Sequence, residues 1–190
     1  YDIVDVVRSN SRDMRLIFFW TVIALLYGTL SASISVVKKV KGGWQFYANG
    51  APYEIKGIDV KLEMDSTNAG KYLRDLNYLG ANTIALASDN TQLDAVLDSC
   101  EFYNIKVMLI VKLPHDGNSG YKRRALRYDI EKDRKQIDEI ALSVIRKYKE
   151  HPAILLWSLG SNMFSQIPPG KERHEFGKYL ESLVQKVKAE

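Results

Sequence analysis

Apolar positions along the chain follow two spacings. Short continuous runs at residues 82–87, 106–113 and 153–159 are rich in Ile, Val and Leu and bounded by Gly, Asn or Pro. Such runs predict strands buried in a sheet. Between them, apolar residues recur every third or fourth position, which predicts helices. Residues 69–79 place Tyr72, Leu73, Leu76 and Leu79 on one face, with Gly80 closing the helix. Residues 91–103 align Leu93, Val96, Leu97 and Cys100, with Thr91 as the capping residue. Residues 129–148 carry the stripe Ile137, Ile140, Ala141, Val144, Ile145 and Tyr148. His151-Pro152 ends that helix, because the residue before a proline resists the helical conformation. A last helix follows Pro168-Pro169-Gly170 and turns Phe176, Leu180, Leu183, Val184 and Val187 inward. Ahead of all these, residues 44–49 and 53–60 read as strands joined by a turn at Asn49-Gly50-Ala51-Pro52. Residues 114–128 read as a polar loop.

The order is a hairpin followed by four strand–helix units. Alternating units with apolar strands predict an α/β fold with a parallel sheet. Four units make half of an eightfold barrel, or a small open sheet. A chain of 190 residues with 46% hydrophobic and 26% charged residues can build one such core. Net charge is +4, and the only basic run, Lys122, Arg123 and Arg124, falls in the polar loop. A solvated loop is the expected reading there, so no nucleic-acid partner is expected. The lone Cys100 excludes an intrachain disulfide and sits on a helix's apolar face. No Gly-rich phosphate loop and no close metal-spaced cluster is present, so no cofactor or metal is expected.

Residues 16–37 carry no charge and follow Arg12, Met14 and Arg15. Small residues at Ser31, Ala32 and Ser33 give the pattern of a secretory signal peptide. The same stretch is long enough for an uncleaved membrane anchor; a buried core helix is a third reading. The expected organisation is therefore an upstream extension at 1–13, a signal or anchor at 14–37, and a globular domain at 43–190. Export follows from it, with membrane contact only through residues 16–37.

In a barrel of parallel strands the active site gathers where the strands end. The residues just past the predicted strands are Asp59, Ser88 with Asp89, His115 with Asp116, and Ser161 with Asn162. Asp59 and Asn162 follow directly on apolar strands and are the stronger candidates.

Residues 43–190 resemble the catalytic (β/α)8 TIM barrel of glycoside hydrolase family 2 and its clan relatives. WQFYANGAPYEIKGID is similar to that barrel's leading hairpin and first strand, and YLRDLNYLGANTIALAS to its first helix and second strand. LDSCEFYNIKVMLIV and KYKEHPAILLWSLGSN are similar to the next two helix–strand pairs. The resemblance covers the first four β/α units. It implies a protein acting on or binding β-linked oligo- or polysaccharide, with Asp59, Ser88, His115 and Ser161 in reach of substrate. It also implies a loss. The family ends its fourth strand in Gly-Asn-Glu, where the Asn bonds a sugar hydroxyl and the Glu is the acid/base. Here Ser161 and Asn162 stand in those places, and Ala85 stands where the family carries an Arg. No Asp or Glu lies between His151 and Lys171; Glu172 is the nearest. Hydrolysis is therefore expected to be reduced or absent. The alternatives are a non-catalytic carbohydrate- or protein-binding relative, and a truncated fragment.

Overall fold

The computed structural model describes residues 34–59, 64–114, 126–167 and 169–190. His115, Asp116, the basic run at 122–124 and residues 16–33 of the apolar segment lie outside the described residues.

Two sheets are present. Strands β1 (Ser35–Val40), β2 (Gly43–Ala48) and β3 (Ala51–Pro52) form an antiparallel sheet in the order β1-β2-β3. Asn49 and Gly50 take φ of 50° and 80°, as a tight two-residue hairpin turn requires. Strands β4 (Gly57–Asp59), β5 (Thr83–Ala87), β6 (Lys106–Val111) and β7 (Ile154–Leu159) form a parallel sheet in chain order. Helices α1 (Ala69–Tyr78), α2 (Leu93–Phe102), α3 (Glu131–Tyr148), α4 (Met163–Gln166) and α5 (Lys171–Ala189) complete the order.

Each parallel strand lies beside its predecessor. Right-handed crossovers in a constant direction bring the helices to one face of the sheet. The burial pattern agrees. Ile84, Leu86, Val107, Leu109 and Val111 are buried, while Ala85, Ala87, Lys106, Met108 and Ile110 between them are half-buried. Register extends this second row through Asp59, Ala85, Met108 and Leu156, and through Ala87, Ile110 and Ser158. The strands are apolar on both faces, yet helices cover only one. Among the described residues β4 and β7 remain the sheet's edges, so these four strands do not close a barrel.

The core has two centres. Leu73, Leu97 and Cys100 from α1 and α2 pack on Ile84, Val107 and Leu109. Ile137, Ala141 and Ile145 from α3 meet Phe176, Tyr179 and Leu183 from α5 over Val111. Val144 and Trp157 touch both groups. Burial pushes the Cys100 thiol up to about 12, which makes it a packing group without nucleophilic character at neutral pH.

Four local expectations change. Residues 35–37, the end of the apolar segment, belong to β1, where Val36 and Val37 pair with Tyr47 and Phe46. The expected strand over 53–60 divides between β3 and β4, because the chain must pass from one sheet to the other. The Asn82 side chain holds that passage. Its Oδ1 accepts from the Lys56 amide at 2.9 Å and its Nδ2 donates to the Glu54 carbonyl at 2.8 Å. Thr91 does not cap α2; Asn90 Oδ1 accepts the Gln92 amide at 2.8 Å, and the helix starts at Leu93. Tyr128, expected in a polar loop, is fully buried, edge-on to Phe176 at 4.7 Å, with its hydroxyl donating to the Pro114 carbonyl at 2.9 Å. No helix among the described residues is long and apolar enough to cross a membrane.

Asn82→Ala removes the hydrogen bonds that tie the hairpin connection to β5. It is expected to cost about 2 kcal/mol in urea denaturation; unchanged stability would show that the passage is held by other contacts.

Candidate functional site

The ends of the parallel strands place the candidate side chains. Leu159 closes β7, and the Gly160 amide continues the ladder by donating to the Val111 carbonyl at 3.0 Å. The chain then reverses. Gly160 takes φ of 83° and Asn162 takes φ of 54°, both left-handed. A Cβ on Gly160 would stand 2.6 Å from Met163 Cγ, so only glycine fits. Asn is one of the few other residues that tolerates the left-handed region. The turn is clamped from α4: Ser165 Oγ donates to the Asn162 carbonyl at 2.7 Å, and Gln166 Nε2 donates to the Ser161 carbonyl at 3.1 Å. Ser161 and Asn162 are left exposed. Asn162 also lines an open groove of about 420 Å³ between β7, α4 and α5, with Phe164, Phe176 and Leu180.

The other candidates divide. Ser88 sits one residue past β5 and extends the sheet. Its amide donates to the Ile110 carbonyl at 2.9 Å, and its Oγ accepts from the Lys112 amide at 3.0 Å. Its oxygen thus helps hold β5 to β6, while its O–H is left to donate. Asp89 beside it pairs loosely with Lys112 at 3.8 Å, an exposed contact of little energetic weight. Asp59 ends β4 and pairs with Ala85, three residues before Ser88. That puts it about 10 Å lower along the strands, on the uncovered face. Register thus brings Ser88 level with the Gly160 turn and leaves Asp59 deeper. His115 lies outside the described residues.

Glu172, the nearest carboxylate in sequence, is occupied elsewhere. Its Oε1 accepts from the Tyr128 amide at 3.3 Å and its Oε2 lies 3.8 Å from Arg127. It anchors the returning loop rather than reaching the turn. Gly160, Ser165 and Gln166 shape and hold the turn. The signal for them was a glycine directly after an apolar strand with short polar residues within the next turn.

Among the described residues one group could hold a cation: Asp98, Glu101 and His151, whose ligand atoms lie within 4.8 Å of one another. His151 Nδ1 accepts the Ala153 amide at 3.2 Å, which puts the ring proton on Nε2, facing Asp98. A metal-binding histidine has the opposite polarity, donating from its second nitrogen. The group lies at the start of β7, away from the turn.

Comparison with known proteins gives a consistent fold. No family model matches the chain. Rat β-glucuronidase is 28% identical over 171 residues, covering 85% of this chain and 24% of the relative. Mouse β-glucuronidase is 26% identical over 173 residues, covering 86% and 24%. The chain thus spans about a quarter of these curated relatives. Among solved structures, the Amycolatopsis orientalis exo-chitosanase CsxA aligns with a TM-score of 0.51 at 17% identity, over 80% of this chain and 18% of that one. The Rhizomucor miehei endo-1,4-β-mannanase aligns with a TM-score of 0.57 at 15% identity, over 82% and 58%. The chain has a glycoside hydrolase fold, built on an α/β unit with a parallel sheet.

The turn makes a stability prediction. Gly160→Ala is expected to cost about 2 kcal/mol or more, from the left-handed backbone and the clash with Met163. Asn162→Glu is expected to cost about 1 kcal/mol and Asn162→Gly almost nothing. Equal stability of the Glu and Gly variants in urea denaturation would contradict the left-handed turn.

Proposed function

We propose that the chain contains the leading half of a (β/α)8 barrel of the glycoside hydrolase family 2 type. In this reading it engages β-linked carbohydrate at the C-terminal ends of β4 to β7, with hydrolysis reduced or absent. The observation that carries the reading is Asn162. It stands exposed on the turn after β7, where the resemblance implies the acid/base Glu. A carboxyl group there protonates the leaving oxygen and then recovers the proton from water. An amide has no proton to lend at any accessible pH. Loss of general acid catalysis costs on the order of 100- to 10,000-fold. Glu172 cannot substitute while it holds Arg127 and Tyr128.

Ala85 on the uncovered face supports the same direction, because the resemblance gives that position an Arg that steadies the second carboxylate. Binding survives such losses more readily than turnover. Asp59, Ser161 and Asn162 offer acceptors and an amide donor suited to sugar hydroxyls, and His115 is proposed to join them. In this reading the protein is exported, with the part of residues 14–37 that precedes β1 as a signal or anchor, and its ligand is an oligo- or polysaccharide. The non-catalytic variant, a carbohydrate-binding relative, is favoured over the hydrolase to the extent that both Ala85 and Asn162 lack their chemical groups.

The test compares β-glycosides that share a sugar but differ in leaving group. Nitrophenolate departs without protonation; methoxide does not. Wild-type chain is expected to turn over only nitrophenyl glycosides, if any, without the alkaline loss of rate that marks a general acid. Efficient cleavage of methyl glycosides would overturn the loss of acid catalysis. Sugar binding without any turnover would select the non-catalytic reading, and binding to no sugar across a broad panel would overturn both.

A further inference from the structure

His151 joins two elements through one ring. It stands at the His-Pro break between α3 and β7, and its backbone is pinned on both sides. Its amide donates to the Tyr148 carbonyl at 2.9 Å, and its carbonyl accepts from the Ile154 amide at 3.0 Å. The imidazole is therefore the part that can change partners. Nδ1 accepts the Ala153 amide at 3.2 Å, a bond that needs an unprotonated nitrogen. Ala153 is 1% exposed, and its carbonyl takes the Val107 amide at 2.8 Å where β7 joins β6.

Nε2 looks the other way, toward α2. Asp98 Oδ1 lies 3.4 Å from it, long for a hydrogen bond. Glu101, one turn further along α2, brings a second carboxylate oxygen within 4.8 Å. Two carboxylates favour a charged ring, while the Ala153 amide favours a neutral one. A proton on Nδ1 meets the first demand and defeats the second. The other charged groups packed around the ring have partners of their own. Lys147 on α3 donates to Asp94 on α2 at 2.8 Å and to the Tyr148 hydroxyl at 2.7 Å. Lys106, at the start of β6, donates to the Pro152 carbonyl at 2.7 Å. The Asp94 carboxyl is held below its usual range, by Lys147 first and only weakly by the ring.

We propose that His151 is a pH-sensitive latch between β7 and α2. The neutral ring holds the Ala153 amide at the start of β7. On acidification the ring releases that amide and pairs as a cation with Asp98 and Glu101. Imidazole is suited to this, because its charge changes between about pH 5 and 8. The release acts two residues before Leu155, whose carbonyl accepts from Ser35 Oγ at 2.6 Å and so seats the base of the hairpin. Acid thereby loosens the start of β7 beside that seat. The inference goes beyond the carbohydrate reading and stands whether or not the strand ends bind sugar.

The test follows the isotope-labelled full chain by magnetic resonance from about pH 8 to about pH 5, across the imidazole range. Exchange of the Ala153 amide is read as a ratio to that of Ile154, whose acceptor is a carbonyl and does not titrate. The ratio is expected to rise about tenfold on acidification, the worth of one hydrogen bond, with the midpoint of the His151 ring signals. Asp98→Asn with Glu101→Gln should move both midpoints to lower pH by on the order of one unit. His151→Asn supplies an acceptor that reaches the amide two residues on and cannot be protonated, so the ratio should stay flat. A ring that titrates without any change at Ala153 overturns the proposal, as does a ring that stays neutral throughout. Unmoved midpoints in the carboxylate variant, or a persisting pH response in His151→Asn, overturn it as well.

Discussion

A parallel strand can be followed by a parallel neighbour only through a crossover, and crossovers have one hand. In this chain that constraint acts three times in the same direction, from β4 to β7. Most other features depend on it. The helices collect on one face, where two core centres form around Ile84 to Leu109 and around Val111 to Phe176. The opposite face keeps Ala85, Ala87, Met108 and Ile110 only half-buried. All four strand ends point the same way, so residues far apart in sequence become neighbours at one end of the sheet. The antiparallel hairpin is confined to the other end, seated by Ser35, Tyr53 and Asn82.

Within this frame the Gly160 to Asn162 turn links backbone and chemistry. Gly160 is required because Met163 occupies the space of a side chain. Asn162 is suited to its left-handed backbone in a way that Glu is not. A longer side chain with no local hydrogen-bonding group, such as Glu, would be less at ease on this backbone, so the turn and the identity of residue 162 are coupled.

Much of the fold was legible in the sequence because its strongest signals are periodic. The stripes ending in Tyr148 and Val187 and the runs at 106–113 and 153–159 settle element type and order without tertiary information. What pattern could not supply were contacts between distant residues. Tyr128 lies in a polar stretch, and only Phe176, Tyr179 and the Pro114 carbonyl make it a core residue. The division of 53–60 between two sheets depends on the Asn82 side chain, which no local rule identifies. The apolar segment continued to Val37 by hydropathy, but Val36 and Val37 are equally good strand residues and pair with β2. At the candidate site the strand-end positions were legible, and their relative depth was not. Ser88 was expected near substrate, and pattern could not foresee that its oxygen also accepts the Lys112 amide. Asp59 was expected at the mouth, and register sets it lower on the uncovered face.

The central claim is that sugar meets this chain at the ends of its parallel strands. Backbone amide spectra of the full chain, recorded while a β-linked oligosaccharide is titrated in, test it most directly. The account predicts that the amides of Gly160, Ser161 and Asn162 shift together with those near Asp59 and Ser88. Helix-face residues such as Lys135 and Lys178 should not move. Shifts confined to the helix face or to the hairpin, or no shifts with any β-linked sugar, would contradict it.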